Sequence, residues 1–105
     1  MIVTFDKPYL KELYQEGRCS DKKHRFQPDI VRRYQKVIAF MVNSSSIETL
    51  MRINSLNYEV LSGDKAGISS VRVNDKYRVE FTADKTGEEP AITVCNILEL
   101  SNHYK

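Results

Sequence analysis

The sequence contains few of the residues that build metal sites and disulfide frameworks. Among 105 residues there are two cysteines, Cys19 and Cys95, and two histidines, His24 and His103. A single, widely separated pair of cysteines does not form a disulfide framework. The four side chains also stand at spacings unrelated to those of a zinc site. We therefore expect a protein that works without a metal or any other cofactor.

Long apolar runs are also absent from the sequence. No stretch of about 18 consecutive apolar residues exists, which is the length that a membrane-spanning helix needs. The beginning of the chain lacks the basic and then apolar segments of a secretory signal. These absences predict a cytoplasmic protein without a membrane partner, and the small number of cysteines agrees with that location.

What the sequence does contain is an ordinary globular composition, 41% apolar and 29% charged. The length predicts one domain over 1–105 that buries a core of its own. Residues 1–56 hold ten Lys and Arg against six Asp and Glu, a balance of +4, whereas residues 57–105 hold six against eight, a balance of −2. This unequal distribution indicates either a solvated helix face or a surface that meets phosphate. The basic residues cluster at Lys22, Lys23, Arg25, Arg32, Arg33 and Lys36.

The first part of the chain predicts a short strand followed by a helix. Residues 2–5 have strand character, and Asp6 is placed to serve as the N-cap of a helix near 6–16 with Pro8 in its first turn. Apolar residues then recur at helical spacing until Gly17, which ends the helix.

A second and longer helix is predicted over 28–43, beginning at Pro28. Its apolar residues form one stripe. Ser45 and Glu48 have the spacing of a capping box for a short third helix at 46–53. The stripe of the second helix consists of Ile30, Val31, Tyr34, Val37, Ile38 and Met41.

After residue 57 the helical periodicity gives way to alternation, which is typical of strands. Asn74 and Asp75 suit a tight turn, and residues 83–90 read as a loop. The last segment is apolar on both faces, which favours an interior strand that is covered on both sides. Four strands are predicted, at 58–61, 68–73, 77–81 and 91–100.

The order of elements predicts an α+β fold with the helices on one face of a mostly antiparallel sheet. Alternation places Val79 and Phe81 on the face that packs against the helices, and Arg78 and Glu80 on the other. We expect this second face to be partly open. With its two arginines, Arg72 and Arg78, it is a candidate anion site.

These segments resemble the RelE superfamily of toxins from type II toxin–antitoxin systems, and most of all its HigB branch. The family's leucine-x-glycine-aspartate loop corresponds to 61–64, and its small-residue strand to 69–73. Its aromatic-arginine-apolar-x-phenylalanine strand corresponds to 77–81, and its terminal aromatic-histidine motif to Asn102-His103-Tyr104. The resemblance covers nearly the whole chain.

The resemblance implies a curved sheet with N-terminal helices on one side. It also implies cleavage of messenger RNA on the ribosome, and inhibition by an antitoxin from the same operon, a small helix-turn-helix protein. In this chemistry the RNA 2′-hydroxyl attacks the adjacent phosphorus and a 5′-oxygen leaves. The protein must take up one proton, supply another, and stabilise negative charge on the phosphate.

Arg78 and His103 are the leading catalytic candidates. A guanidinium is permanently charged and binds two oxygens at once, whereas an imidazole titrates near neutrality. The resemblance places Arg78 at the family's phosphate-binding position. The alternatives are a structural ion pair between Arg78 and Glu80 or Glu59, and for His103 an inert residue near the chain end.

The sequence departs from the family pattern at two positions. Many HigB toxins have a histidine where this chain has Glu59, and a lysine where it has Ser62. A carboxylate can also act as a general base, so Glu59 is a candidate for that role or for an ion pair with an arginine. Tyr104 is a candidate for stacking on a base or for proton transfer, with an exposed terminal aromatic as the alternative.

Five further basic residues are candidates for contacts with phosphate. The first three, Lys65, Arg72 and Lys76, fall near Arg78 in the predicted sheet, and we expect Arg33 and Lys36 on the second helix to face ribosomal RNA. Solvated surface is the alternative for each of them. His24, in the polar loop between the helices, is interpreted as a surface residue.

Three functions remain open from the sequence. The first is a ribosome-dependent endoribonuclease, which the terminal histidine and the basic polar face favour. The second is a gyrase-binding toxin of the related ParE branch, which has the same fold without a nucleolytic site. The third is a catalytically degenerate protein that still binds its antitoxin, which the departures at Glu59 and Ser62 favour.

Overall fold

A computed structural model describes residues 1–102 of the chain, so His103 and Tyr104 lie outside the described residues. Three helices and five strands follow in the predicted order, with the change from helical to strand structure near residue 57. The strands are β1 (Ile2–Phe5), β2 (Glu59–Val60), β3 (Ser69–Arg72), β4 (Arg78–Lys85) and β5 (Thr93–Ser101); the helices are α1 (Pro8–Glu16), α2 (Pro28–Asn43) and α3 (Ile47–Met51).

One sheet contains all five strands in the order β1-β5-β4-β3-β2. β1 runs parallel to β5, and every other pair is antiparallel. The predicted α+β fold with a mostly antiparallel sheet is therefore confirmed. Because β1 pairs with β5, both halves of the chain contribute strands to one sheet.

The core lies between the helices and one face of the sheet. The predicted stripe of α2 is buried at all six positions, and Val79 and Phe81 are fully buried with it. The Tyr34 hydroxyl donates a hydrogen bond to the carbonyl of Leu10 over 2.7 Å, which ties α2 to α1. Gly17 ends α1 in the left-handed conformation, with φ 73°, as the sequence predicts.

Two predicted caps are wrong. Asp6 does not cap α1, because it stands one residue before the N-cap position. Its backbone N–H donates to the carbonyl of Ile97 over 2.8 Å, next to the pairing of β1 with β5. The helix begins at Pro8, with Lys7 at the N-cap position. Ser45 does not cap α3 either; the N-cap is Ser46, whose side chain lies 3.3 Å from the Thr49 hydroxyl instead of bonding the backbone.

The hairpin formed by β4 and β5 differs from its predicted form in length and in register. β4 continues to Lys85 through three residues assigned to a loop, 83–85, because they pair with Thr93–Cys95. A bulge between Glu80 and Phe81 then shifts the ladder, so that Ile97 and Leu100 both lie in the core. β5 is an interior strand of the sheet as predicted, but its predicted cover on both faces is incomplete, because Val94 and Leu98 are only partly buried.

Candidate active site

The polar face of the sheet carries two rows of residues, because side chains opposite each other in a sheet point to the same side. Arg72, Arg78 and Ser101 are paired across β3, β4 and β5. In the next row Ser70 lies opposite Glu59 on one side and Glu80 on the other.

Arg78 is buried within this face, with 6% of its surface exposed. Its Nε donates to the Ser70 hydroxyl over 2.9 Å, and its Nη2 donates to the carbonyl of Asn57. Val79 points into the core, so Arg78 lies on the face away from the helices as alternation predicts. The expectation of an open face is wrong at Arg78, Glu80 and Ser70, which are all buried.

The burial of Arg78 arises from the turn before β2. Asn57 has a positive φ of 43°, and its N–H donates to the carbonyl of Asn54 over 3.1 Å. Asparagine tolerates this left-handed conformation better than most residues do. The turn directs the Asn57 carbonyl towards the guanidinium, and the contact holds Arg78 in a fixed position.

Glu59 lies next to this site without being buried in it. It is the cross-strand partner of Ser70, the residue that accepts the hydrogen bond from Arg78. Opposed side chains in a sheet are about 5 Å apart at Cβ, so Glu59 and Arg78 lie on either side of Ser70. Glu59 is exposed to solvent.

Three basic residues near Arg78 were predicted to contact phosphate, and two of them are paired with carboxylates. The Lys65 ammonium lies 2.8 Å from Glu80 Oε2, and Arg72 pairs with the exposed Asp75. Lys76 is exposed in the turn, where its backbone N–H donates to Asn74 Oδ1 over 2.9 Å. The sequence did not reveal the pair of Lys65 with the buried Glu80, since the two lie 15 residues apart in different elements.

The two predicted helix residues meet the sheet in a groove of about 210 Å³. Arg33 and Lys36 on α2 and Arg72 on β3 line it, with no carboxylate among the lining residues. Arg33 also pairs loosely with Asp29, over 3.7 Å on the same helix. Three cations from two elements therefore converge on one concave surface, which we name the basic groove.

His24 makes two specific contacts that its interpretation as a surface residue did not predict. Its ring stacks on Tyr9 with centroids 3.7 Å apart, and its Nδ1 lies 2.7 Å from Asp21 Oδ2. The hydrogen bond from His24 holds the pKa of the Asp21 carboxyl below its usual value. The larger cavities beside this loop, about 260 and 320 Å³, share no lining residue with the cluster around Arg78.

Comparison with known families shows to which family the chain belongs. The family model of the HigB-like toxin, described as a RelE-like toxin of the type II toxin–antitoxin system HigB, matches residues 3–91. The chain belongs to the HigB-like toxin family. A search of curated proteins finds no match.

Solved structures agree with this family in fold. A YoeB/ParE toxin from Agrobacterium tumefaciens superposes with a TM-score of 0.62 at 15% identity, covering 99% of this chain and 100% of that one. A mutant of YafQ from E. coli gives 0.59 at 12% identity, covering 96% and 91%. The YoeB–YefM complex from Staphylococcus aureus gives 0.51 at 17% identity, covering 99% and 98%.

As a HigB-like toxin, the protein is one half of a type II toxin–antitoxin pair, and its partner is an antitoxin. Within residues 1–102, no three or more metal-ligating side chains are grouped closely enough to hold a metal ion. Among those same residues, no helix has the length and apolar character that crossing a bilayer requires.

Proposed function

We propose that this HigB-like toxin is an endoribonuclease that cuts messenger RNA on translating ribosomes and thereby inhibits translation. The observation that carries the proposal is the buried guanidinium of Arg78, held by Ser70 and Asn57 beside the exposed carboxylate of Glu59. Such a site would operate in the cytoplasm, where the ribosomes are.

Arg78 would bind the phosphate and stabilise its extra negative charge in the transition state. Because its contacts with Ser70 and Asn57 fix the guanidinium, little reorganisation is needed when charge develops. Arg72 is the direct cross-strand neighbour of Arg78. Like charges placed opposite each other are unfavourable, and an anion bound between them would relieve this repulsion.

Glu59 would be the general base that removes the proton of the 2′-hydroxyl. The resulting oxygen attacks phosphorus, the bond to the 5′-oxygen breaks, and the products are a 2′,3′-cyclic phosphate and a 5′-hydroxyl. We assign the proton for the leaving 5′-oxygen to His103, with Tyr104 stacking on a base or sharing the proton transfer. Both assignments rest on the family resemblance of the terminus.

The basic groove would hold the toxin on the ribosome. Arg33, Lys36 and Arg72 present positive charge on a concave surface, which suits the phosphate backbone of folded RNA. Lys76 is exposed at the tip of the adjacent turn and would add a further contact. The antitoxin would be a small helix-turn-helix protein, as is typical of the HigB branch.

The test is induced expression followed by primer extension on abundant transcripts. We expect cuts within translated codons, and no cuts in transcripts that are not translated. Growth arrest with intact transcripts and loss of DNA supercoiling would instead indicate a gyrase-binding toxin. The absence of any growth arrest, with the antitoxin still bound, would indicate a degenerate toxin.

A further inference from the structure

A buried carboxylate lies within the polar face, and the proposed reaction gives it no role. Glu80 is 3% exposed, and its Oε2 accepts a hydrogen bond from the Lys65 ammonium over 2.8 Å. Glutamate is almost never fully buried unless it is paired, because loss of hydration destabilises the charge. The Lys65 ammonium therefore helps to compensate for the loss of hydration at Glu80.

Lys65 belongs to a surface loop between β2 and β3. The loop contains a short 3₁₀ helix, Gly63–Lys65, which has no buried residue. Gly63 and Gly67 on either side of Lys65 have positive φ angles of 65° and 89°. The loop closes through hydrogen bonds from Leu61 N–H to the carbonyl of Ile68, 2.8 Å, and from Ile68 N–H to the carbonyl of Lys65, 3.1 Å. The bond to Glu80 is the contact that ties this loop to the sheet through a charged side chain.

The Lys65–Glu80 pair lies next to the guanidinium of Arg78. Glu80 and Arg78 are two residues apart on β4 and so share a face, separated by about 7 Å along the strand. Ser70 joins them, since it is the cross-strand partner of Glu80 and accepts the hydrogen bond from Arg78. The Lys65 side chain retains 39% exposure while its ammonium contacts the buried carboxylate, so solvent and solutes can reach the side chain.

We propose that Glu80 is a positioning residue, whose buried carboxylate holds the Lys65 ammonium beside Arg78 so that both cations bind one RNA phosphate. An ammonium has three N–H donors, so Lys65 can keep its bond to Glu80 while donating to a phosphate oxygen. This inference rests on the proposed function. Many HigB toxins have a lysine where this chain has Ser62. The inference assigns the role of that cation to Lys65, which stands three residues further along the loop.

A purely structural ion pair would behave differently from a positioning pair, and a double-mutant cycle separates the two. The variants are Glu80→Gln, Lys65→Gln and their combination, with Asp64→Asn as a matched control on the same loop, where Asp64 is exposed. Two readouts are needed: hydrogen exchange of the Ile68 amide, which reports loop closure, and kcat/KM for ribosome-dependent cleavage.

In the exchange experiment we expect the Ile68 amide to exchange about tenfold faster in Glu80→Gln and in Lys65→Gln, since each removes one charge-assisted hydrogen bond. Asp64→Asn should leave the exchange rate unchanged. Lys65→Gln alters only a loop side chain, so this arm remains available if Glu80→Gln fails to fold. An unchanged Ile68 rate in Lys65→Gln would overturn the proposal.

In the cleavage experiment we expect kcat/KM to fall about a hundredfold in Lys65→Gln, which loses a phosphate-binding cation, and about tenfold in Glu80→Gln. The double variant should be no slower than Lys65→Gln, because the positioning role of Glu80 is exerted through Lys65, and Lys65→Arg should retain most activity. Losses that multiply in the double variant would overturn the positioning role. If the parent protein cleaves nothing, the proposed function fails, and the exchange result alone decides whether Glu80 positions Lys65.

Discussion

At the scale of single residues, Arg78 combines burial with a candidate catalytic role. Lysine at this position would keep the positive charge but could not donate to Ser70 and Asn57 while also binding two phosphate oxygens. We expect Arg78→Lys to reduce cleavage on translating ribosomes about a hundredfold and to lower the free energy of unfolding by about 1–2 kcal/mol. Time courses of primer extension and urea unfolding measure the two effects.

The matched control for this variant is Arg52→Lys, since Arg52 is exposed after α3 and has no assigned role in the site. It should change neither cleavage nor stability. An Arg78→Lys protein that cleaves at the rate of the parent would remove Arg78 from the mechanism.

The two thiols should differ in reactivity because of their surroundings. Cys95 is fully buried, and burial raises the pKa of its thiol to about 11. Cys19 is half-buried, and desolvation raises its pKa in the same direction. Since the thiolate is the nucleophile, we expect slow alkylation of Cys19 at pH 8 in the folded protein and none of Cys95 until it unfolds. Mass spectrometry of iodoacetamide-treated protein, native and in urea, locates the label; a Cys95 adduct in the native state would contradict the burial of β5.

The sequence predicted the face of Arg78 but not its environment. Alternation along β4 is a local property, so the side to which Arg78 points follows from its apolar neighbours Val79 and Phe81. Its burial depends instead on the carbonyl of Asn57 and the hydroxyl of Ser70, which are brought to it by a turn and by strand pairing. Such contacts depend on tertiary structure, and no periodicity encodes them.

At the scale of elements, the end of α1 is set by Gly17. A side chain at this position would adopt an unfavourable positive φ, and its Cβ would lie 3.3 Å from Gln35 Nε2. Gln35 in turn donates to the carbonyl of Tyr14 over 3.1 Å, joining α2 to α1. We therefore expect Gly17→Ala to lower the free energy of unfolding by about 1 kcal/mol or more.

Urea unfolding followed by circular dichroism measures this loss, and Gly87→Ala is the matched control. Gly87 lies in the hairpin between β4 and β5, where an added Cβ meets nothing within 4 Å. An equal effect in the two variants would show that conformational strain and the contact with Gln35 do not set the end of α1.

Elements with a strong internal pattern were predicted more accurately than those defined by their neighbours. The bounds of α2 and its buried stripe follow from Pro28 and from apolar residues at helical spacing, and the structure confirms them. The length of β4 was underestimated because Thr82–Lys85 form a strand only through pairing with β5. The bulge beside Glu80 likewise shifts which residues of β5 reach the core, and alternation alone cannot locate it.

At the scale of the whole molecule, the structure shows where the positive half of the chain meets the negative half. The positive half contributes α2 and the negative half contributes most of the sheet, and the two meet where Arg33 and Lys36 approach Arg72. The sequence predicted the basic residues of α2 but could not predict that they share a groove with Arg72, because that depends on how the helix packs on the sheet.

The basic groove should make cleavage depend on salt. Log affinity falls as log salt concentration rises, and each phosphate contact that is lost reduces the steepness of this fall by about 1. For the double variant Arg33→Gln/Lys36→Gln we therefore expect weaker binding to ribosomes and a slope reduced by about 2. The chemical step on ribosome-bound substrate should stay close to that of the parent, because neither residue lies in the cluster around Arg78.

Sedimentation of the toxin with ribosomes at several salt concentrations measures the slope, and single-turnover cleavage at saturating ribosome measures the chemical step. The control is Lys85→Gln, which removes one exposed charge at the far end of β4. Because Lys85 carries the same positive charge as Arg33 and Lys36, a slope that falls as much per charge in the control would mean that overall charge governs ribosome binding. A slope that falls only in the groove variant would mean that the packing of α2 on the sheet creates the ribosome-binding surface.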